Sequence, residues 1–343
     1  MAEQSMSGPI APVDINSLSL PDLWARFMQT GLPTRLFELA RDEDLGSSAQ
    51  ASERWGVRSL RGSGDVTTDV CIDPSLAADA AVVLRRGGIV GGLEAAPELL
   101  RLFSPACEII NLHFDGERVK DDTVVARVRG PMDEVLGLER TLLNVLGRLS
   151  GIATRTARFV AALPTDTRAK IYDTRKTTPG LRVLEKYAVR CGGGMCHRLG
   201  LYDAVLMKDN HLANVSNSGL AEFVLAAAKR ARARGSVQFV QVEVDTLEQL
   251  RALLTLSPGV MDIVLLDNMG PSLLREAVAV RDEWLGQHGS SAKLELEASG
   301  GVTLEAVGEV AATGVDRISI GGLTHAAISL DVGLDITEVG RRS

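Results

Sequence analysis

From Arg168 to His211 the chain gathers nine Lys and Arg (Arg168, Lys170, Arg175, Lys176, Arg182, Lys186, Arg190, Arg198, Lys208) against four acids (Asp173, Glu185, Asp203, Asp209). That is +5 within a chain of net charge −7, so the remaining residues sum to −12. Such a local excess is either a solvated face or the seat of something anionic. Guanidinium groups present a planar fork that meets a carboxylate or phosphate with two bonds, and ammonium groups add point charge. A lone Lys or Arg is most often simply exposed. Arg175, Lys176, His197, Arg198 and Lys208, however, fall at strand ends and in one glycine-flanked loop. Together they suit a ligand with two or more acidic groups.

Other residue types extend the site. Glu243 and Asp267 close runs that are otherwise apolar. Carboxylates there can accept from ribose hydroxyls or bind Mg²⁺, which keeps waters and phosphate oxygens beside one or two carboxylates. Asp245, just before a helical stretch, reads as a helix cap. Ser299-Gly300-Gly301 and Gly321-Gly322 each stand between a strand and a helix, where free backbone N–H groups can cradle a phosphate. One glycine pair alone marks only a tight turn. His197 follows Cys196 directly and Cys191 by six positions, yet no second pair at zinc-ligand spacing follows. His113 and His211 read as packing or hydrogen-bonding residues. No nucleophile-elbow, Walker A or dinucleotide fingerprint stands in a suitable context.

These groups need elements to hold them. Strand-like runs at 169–173, 204–208, 237–244, 262–267, 293–299 and 316–322 alternate, after the first two, with helical stretches at 219–234, 246–257, 271–287 and 303–313. That rhythm means parallel strands with crossover helices, whose C-terminal ends converge on one face. Six units predict an irregular or incomplete β/α barrel; an open doubly wound sheet is the runner-up. Residues 64–130 have the texture of short strands and turns, with Asp115-Gly116 as a hairpin signal, and a long helix is expected from Met132 to about 163. Residues 21–56 carry helical periodicity.

Composition bounds the rest. A chain of 343 residues with 45% hydrophobic content can bury a large core, and four cysteines read as reduced thiols. There is no charged, apolar leader pattern and no run of about 18 apolar residues, which predicts a cytoplasmic protein without a membrane partner. Net charge −7 and 4% aromatic residues argue against nucleic acid.

The segments "DTRKTTPGLRVLEKYAVRCGGG", "HRLGLYDAVLMKDNH", "VEV", "LLDN", "EASGG" and "DRISIGGLTHA", in this order, resemble the family of nicotinate-nucleotide pyrophosphorylases (carboxylating), or quinolinate phosphoribosyltransferases. The resemblance runs from about Glu139 onward and implies an α/β fold: an N-terminal α/β sandwich joined to an incomplete β/α barrel of about six parallel strands. Residues 1–20, rich in Ser, Pro and Ala, read as a flexible start; the expected division of the rest is a sandwich domain (21–140), a barrel (141–325) and a segment returning to the first domain (326–343). The implied reaction joins quinolinate to phosphoribosyl pyrophosphate, with Mg²⁺, giving nicotinate mononucleotide, pyrophosphate and CO₂ for NAD synthesis. Implied quinolinate contacts are Arg140, Arg175, Lys176, His197, Arg198 and Lys208, with Thr174 a further substrate-binding residue. Lys176, Glu243 and Asp267 are the implied catalytic groups, Glu243 and Asp267 also the metal ligands, and Ser299, Gly300, Gly301, Gly321 and Gly322 the phosphate contacts. Arg140 is expected to serve the neighbouring chain of a homodimer or dimer-based oligomer. Cys196 stands where the family usually has Asn, which puts one local hydrogen bond in question. A relative acting on another aromatic acid, of the molybdenum-transport type, and a non-enzymatic anion-binding protein are the rival readings.

Overall fold

The computed structural model describes residues 13–46, 64–235 and 237–342. The described residues form two compact units, one lying within Leu18–Ala157, Thr177–Gly193 and Gly322–Ser343, the other within Met1–Ser17, Arg158–Lys176 and Gly194–Gly321. The chain thus enters each unit more than once.

The unit that begins at Leu18 is built on an antiparallel sheet of β1 (Leu76–Leu84), β3 (Glu108–Asn111), β5 (Thr123–Pro131) and β12 (Val332–Arg341), in the order β12-β1-β5-β3. From Ala80 to Leu84 every residue of β1 is buried. Successive side chains of a strand point to opposite faces, so both faces are covered there. Strands β2 (Gly88–Ile89) and β4 (Arg118–Val119) make a separate pair. The helical pattern over 21–56 resolves into two helices, Leu20–Met28 and Leu32–Leu45, split at Gly31 with φ +69°; residues 47–56 of that pattern lie outside the described residues. Ser19 caps the first by accepting the Asp22 N–H at 3.2 Å, and Leu23, Trp24 and Phe27 are its buried face. Of the start expected to be flexible, residues 1–12 lie outside the described residues, while Asn16 and Ser17 are tied by hydrogen bonds to Asp14.

Asp115-Gly116 is a turn, with Gly116 at φ +92°, but not a hairpin joining two paired strands. The strand before it, β3, pairs with β5, and the strand after it, β4, pairs with β2. The Asp115 carboxylate is used instead as an acceptor, for the Leu93 N–H and the Tyr187 hydroxyl, both at 2.8 Å.

The other unit is a sheet of six parallel strands: β6 (Lys170–Tyr172), β7 (Val205–Met207), β8 (Val240–Val244), β9 (Ile263–Asp267), β10 (Glu295–Ser299) and β11 (Arg317–Ser319). Their order is β6-β11-β10-β9-β8-β7. From β7 to β11 each new strand adds on the same side, and β6 follows β11, so the order is a ring opened between β6 and β7. A doubly wound sheet would reverse direction part-way; this is an incomplete barrel. Helices Leu220–Ala233, Leu247–Leu253, Pro271–His288 and Val307–Ala311 are the crossovers. Thr246, not Asp245, caps the second of these, in a capping box with Gln249. The third is fixed by buried Arg281, which donates to the Leu294 carbonyl at 3.1 Å and to Asp316 at 2.6 Å.

Candidate active site

Because all six strands run parallel, their C-terminal ends share one face. Read across the sheet, the ends carry Thr174-Arg175-Lys176, Gly321, Ser299-Gly300-Gly301, Asp267-Asn268, Glu243 and Lys208. All of these lie in the barrel unit, with His197 and Arg198; Arg140 and Gly322 belong to the other unit.

His197 and Arg198 reach this face by a route the strand pattern did not show. Met195 donates to the Ile171 carbonyl at 2.8 Å and accepts from the Asp173 N–H at 3.0 Å, a parallel bridge that lays the chain along the open side of β6. The loop that follows has no secondary structure of its own, and a buried loop must satisfy its backbone polar groups by other means. Five consecutive N–H groups do so with side chains. Cys196 donates to Asn16 Oδ1 at 2.8 Å, His197 to Asp173 Oδ1 at 2.8 Å, Arg198 to His197 Nδ1 at 2.8 Å, and Leu199 and Gly200 to Asp203 at 2.6 and 2.9 Å.

A backbone N–H occupies His197 Nδ1, so the ring hydrogen sits on Nε2, 3.4 Å from Glu297 Oε1. Glu297 is fully buried in β10 and its other oxygen accepts from Gln241 Nε2 at 3.1 Å. Burial works to raise its carboxyl, but His197, Arg317 and the Ser319 hydroxyl outweigh that and lower it to about 2. The Arg317 guanidinium lies 3.8 Å over the Tyr172 ring. Below the strand ends the barrel is therefore filled by a polar, charged set. None of Glu297, Arg317, Gln241 and Asn16 was singled out from sequence, and Asp173 and Asp203 were named there without this role; charged and amide residues inside apolar strands were the available signal for the first three.

Arg198 is buried, donates to the Ala204 carbonyl at 3.2 Å, and is held below the usual arginine range by burial and then by the charge of Arg175. The two guanidinium charges thus oppose each other, with the Asp203 carboxylate acting in the other direction. Thr174 Oγ1 accepts the Lys176 N–H at 3.0 Å, shaping the turn that carries both basic residues. Lys208 Nζ meets Glu243 Oε2 at 2.8 Å, with the lysine 43% and the glutamate 11% exposed.

Ser299 is in register with Asp267, and the Asn268 N–H donates to the Ser299 carbonyl at 2.9 Å. Asn268 has φ +53° and its side chain donates to Asp267 at 2.6 Å. Opposite it, Gly300 has φ +101°; a Cβ there would strike the Asn268 side chain and lie 2.9 Å from its backbone nitrogen. Glycine is required at that close approach. Glu243 and Asp267, on neighbouring strands, are a pair of carboxylates only. Among the described residues no three His, Cys, Asp or Glu side chains gather as a metal set. Two carboxylates do match the donor set of a Mg²⁺ that takes its other ligands from water and phosphate.

Arg140 is 66% exposed on the helix Met132–Ala161, with Glu139 3.7 Å away. Leu138, Leu142 and Leu149 are buried. Arg148, two turns further on, is instead drawn into its own chain, donating to Glu185 at 2.7 Å and to the Thr324 carbonyl at 2.8 Å. Among the described residues no helix is long and apolar enough to cross a membrane.

Comparison with known proteins agrees with this arrangement. The profile of the quinolinate phosphoribosyl transferase C-terminal domain matches residues 152–335, and that of the N-terminal domain residues 65–150. A probable nicotinate-nucleotide pyrophosphorylase [carboxylating] of Bacillus subtilis is 40% identical over 277 residues, covering 80% of this chain and 89% of the relative. A nicotinate-nucleotide pyrophosphorylase [carboxylating] of Mycobacterium leprae is 39% identical over 302 residues, covering 88% and 98%. The solved structure of the nicotinate-nucleotide pyrophosphorylase from Francisella tularensis superposes with a TM-score of 0.74 at 29% identity, covering 95% of this chain and 100% of that one.

Proposed function

Since the chain belongs to the quinolinate phosphoribosyl transferase family, we propose that its barrel face transfers the phosphoribosyl group of phosphoribosyl pyrophosphate to quinolinate, releasing pyrophosphate and CO₂ and leaving nicotinate mononucleotide. The observation that carries this reading is a pair of arginines delivered by neighbouring segments: Arg175 and the buried Arg198 each follow, by three residues, the parallel bridge of Tyr172 with Met195. Such a pair is relieved by a dianion such as quinolinate, whose two carboxylates sit on adjacent ring carbons. Lys208 adds a third cation, and Lys176 a fourth on the same turn as Arg175. His197, its ring nitrogens turned to Arg198 and Glu297, serves by fixing Arg198.

The ring nitrogen of quinolinate attacks ribose C1 as the bond from C1 to the pyrophosphate oxygen breaks. Holding the ring by both carboxylates supplies the orientation this displacement needs. Glu243 and Asp267 face the ribose, where carboxylates offset the positive charge that develops at C1. The same two residues would hold Mg²⁺, which supplies charge neutralisation to pyrophosphate. The Ser299-Gly300-Gly301 turn and the Gly321-Gly322 pair offer backbone N–H groups to phosphate. The carboxylate next to the newly quaternised nitrogen then leaves as CO₂; the electron pair stays on the ring carbon, beside the cationic nitrogen, until a proton replaces it.

Arg140 stands out from its own chain, and its 66% exposure suits a residue that completes the site of a second copy in a homodimer. A cytoplasmic location accords with four cysteines that are free thiols. The test is to supply quinolinate, phosphoribosyl pyrophosphate and Mg²⁺ and measure CO₂ and nicotinate mononucleotide. Turnover with nicotinate but not quinolinate would overturn the assignment. Chelation should stop turnover yet leave quinolinate binding, measured by calorimetry, largely intact.

A further inference from the structure

The loop that presents His197 and Arg198 is held at its first residue by a side chain 180 positions away in sequence. Asn16 makes two bonds to the backbone of Cys196: its Oδ1 accepts the Cys196 N–H at 2.8 Å and its Nδ2 donates to the Cys196 carbonyl at 2.9 Å. An amide side chain that satisfies both the donor and the acceptor of one residue imitates a strand neighbour, and it fixes position along and across the chain at once. Asn16 is itself prepared for this. Its N–H donates to Asp14 Oδ1 at 2.9 Å, the Ser17 hydroxyl donates to the Asp14 carbonyl at 2.7 Å, and Ile15 is buried beside them.

We infer that Asn16 is a positioning residue for the quinolinate subsite, acting through Cys196 to set the placement of Arg198; this rests on the reaction proposed above. The other four amides of the loop are held by Asp173, by His197 itself and by Asp203, residues that lie within about 25 positions of the loop they hold. Asn16 alone comes from the start of the chain, and it contacts the loop where the chain leaves its bridge to β6. It also explains how Cys196 is accommodated: the bonds go to the backbone, and the side chain at 196 is not needed to make them.

The test pairs a structural readout with a kinetic one. In Asn16→Ala, amide exchange should rise in peptides spanning 194–204 and stay unchanged in β8 to β10. The KM for quinolinate should rise about tenfold as the loop loses its placement, while the KM for phosphoribosyl pyrophosphate and kcat stay close to wild type and Tm falls modestly, as the loss of two partly buried hydrogen bonds requires. Asn16→Asp keeps an acceptor for the Cys196 N–H but loses the donor to its carbonyl, and should fall between wild type and Asn16→Ala. Unchanged exchange over 194–204 would overturn the clamp. Raised exchange with an unchanged quinolinate KM, or an equal rise in both KM values, would overturn its positioning role. A wild-type protein inactive on quinolinate would sink the proposed reaction instead, and the exchange result would still decide whether Asn16 holds the loop.

Discussion

Replacing Glu297 by Gln should make the protein less stable at neutral pH and flatten the acid side of its stability profile. Glu297 is fully buried, and its carboxyl lies at about 2 in the folded chain against an ordinary value of 4.5. A depressed carboxyl contributes stability that is fully present above its unfolded value and is lost as pH falls toward the folded one. A shift of this size corresponds to about 3 kcal/mol at pH 7, of which roughly 2 kcal/mol is gone by pH 3. Gln preserves the shape and removes the charge facing His197 and Arg317. Urea unfolding followed by circular dichroism, at pH 7 and at pH 3, should show a gap of about 3 kcal/mol between wild type and Glu297→Gln at the first pH and about 1 kcal/mol at the second. An equal gap at both would mean that the loss is one of packing, and that the ion set inside the barrel does not hold the carboxyl down.

Lys208→Ala should weaken quinolinate binding by about 1.5–3 kcal/mol, the worth of a charge-assisted hydrogen bond, with Tm little changed because the lysine is 43% exposed; calorimetry and thermal melts check both. Gly300→Ala should cost about 1–3 kcal/mol through its left-handed φ and the collision with Asn268, and should raise the KM for phosphoribosyl pyrophosphate more than that for quinolinate. Arg140→Ala and Lys208→Ala should each be nearly inactive alone. Co-expressed, they should recover up to about a quarter of wild-type activity, because one site of each mixed dimer carries neither lesion; verified heterodimers that stay inactive would place Arg140's action within its own chain.

The barrel could be read from sequence because its signal is local and repeated. Each apolar run between helical stretches is a strand buried on both faces, and each run ends in the polar residues that the parallel geometry brings to one side. Glu243, Asp267 and Ser299-Gly300-Gly301 were legible for that reason. The bridge at Met195 was not: it is a single residue pairing beside β6, too short to leave a pattern. The roles of Asn16 and Asp203 were hidden for a related cause, since these residues act on backbone groups and any backbone N–H looks alike in sequence. Asp115-Gly116 shows the opposite failure. Its turn chemistry was read correctly, but the pairing of the strands around it is set by distant partners, which turn residues do not report.

Strand β12 pairs with β1 along its whole length, from Leu76 opposite Arg341 to Leu84 opposite Val332. On the ribosome β1 is therefore finished long before the strand that covers one of its edges has been made, and the complete barrel sequence is synthesised in between. Until then β1 has β5 on one side and an open ladder of N–H and C=O groups on the other, the kind of edge that recruits strands from other chains. Its composition tempers that hazard: Ala77, Ala78, Ala80 and Ala81 offer little apolar surface to a stray partner, and Asp79 places a charge among them. Nascent chains that stall before β12 should be the ones that depend most on chaperones, and a deletion that removes β12 should affect solubility before it affects the chemistry of the barrel.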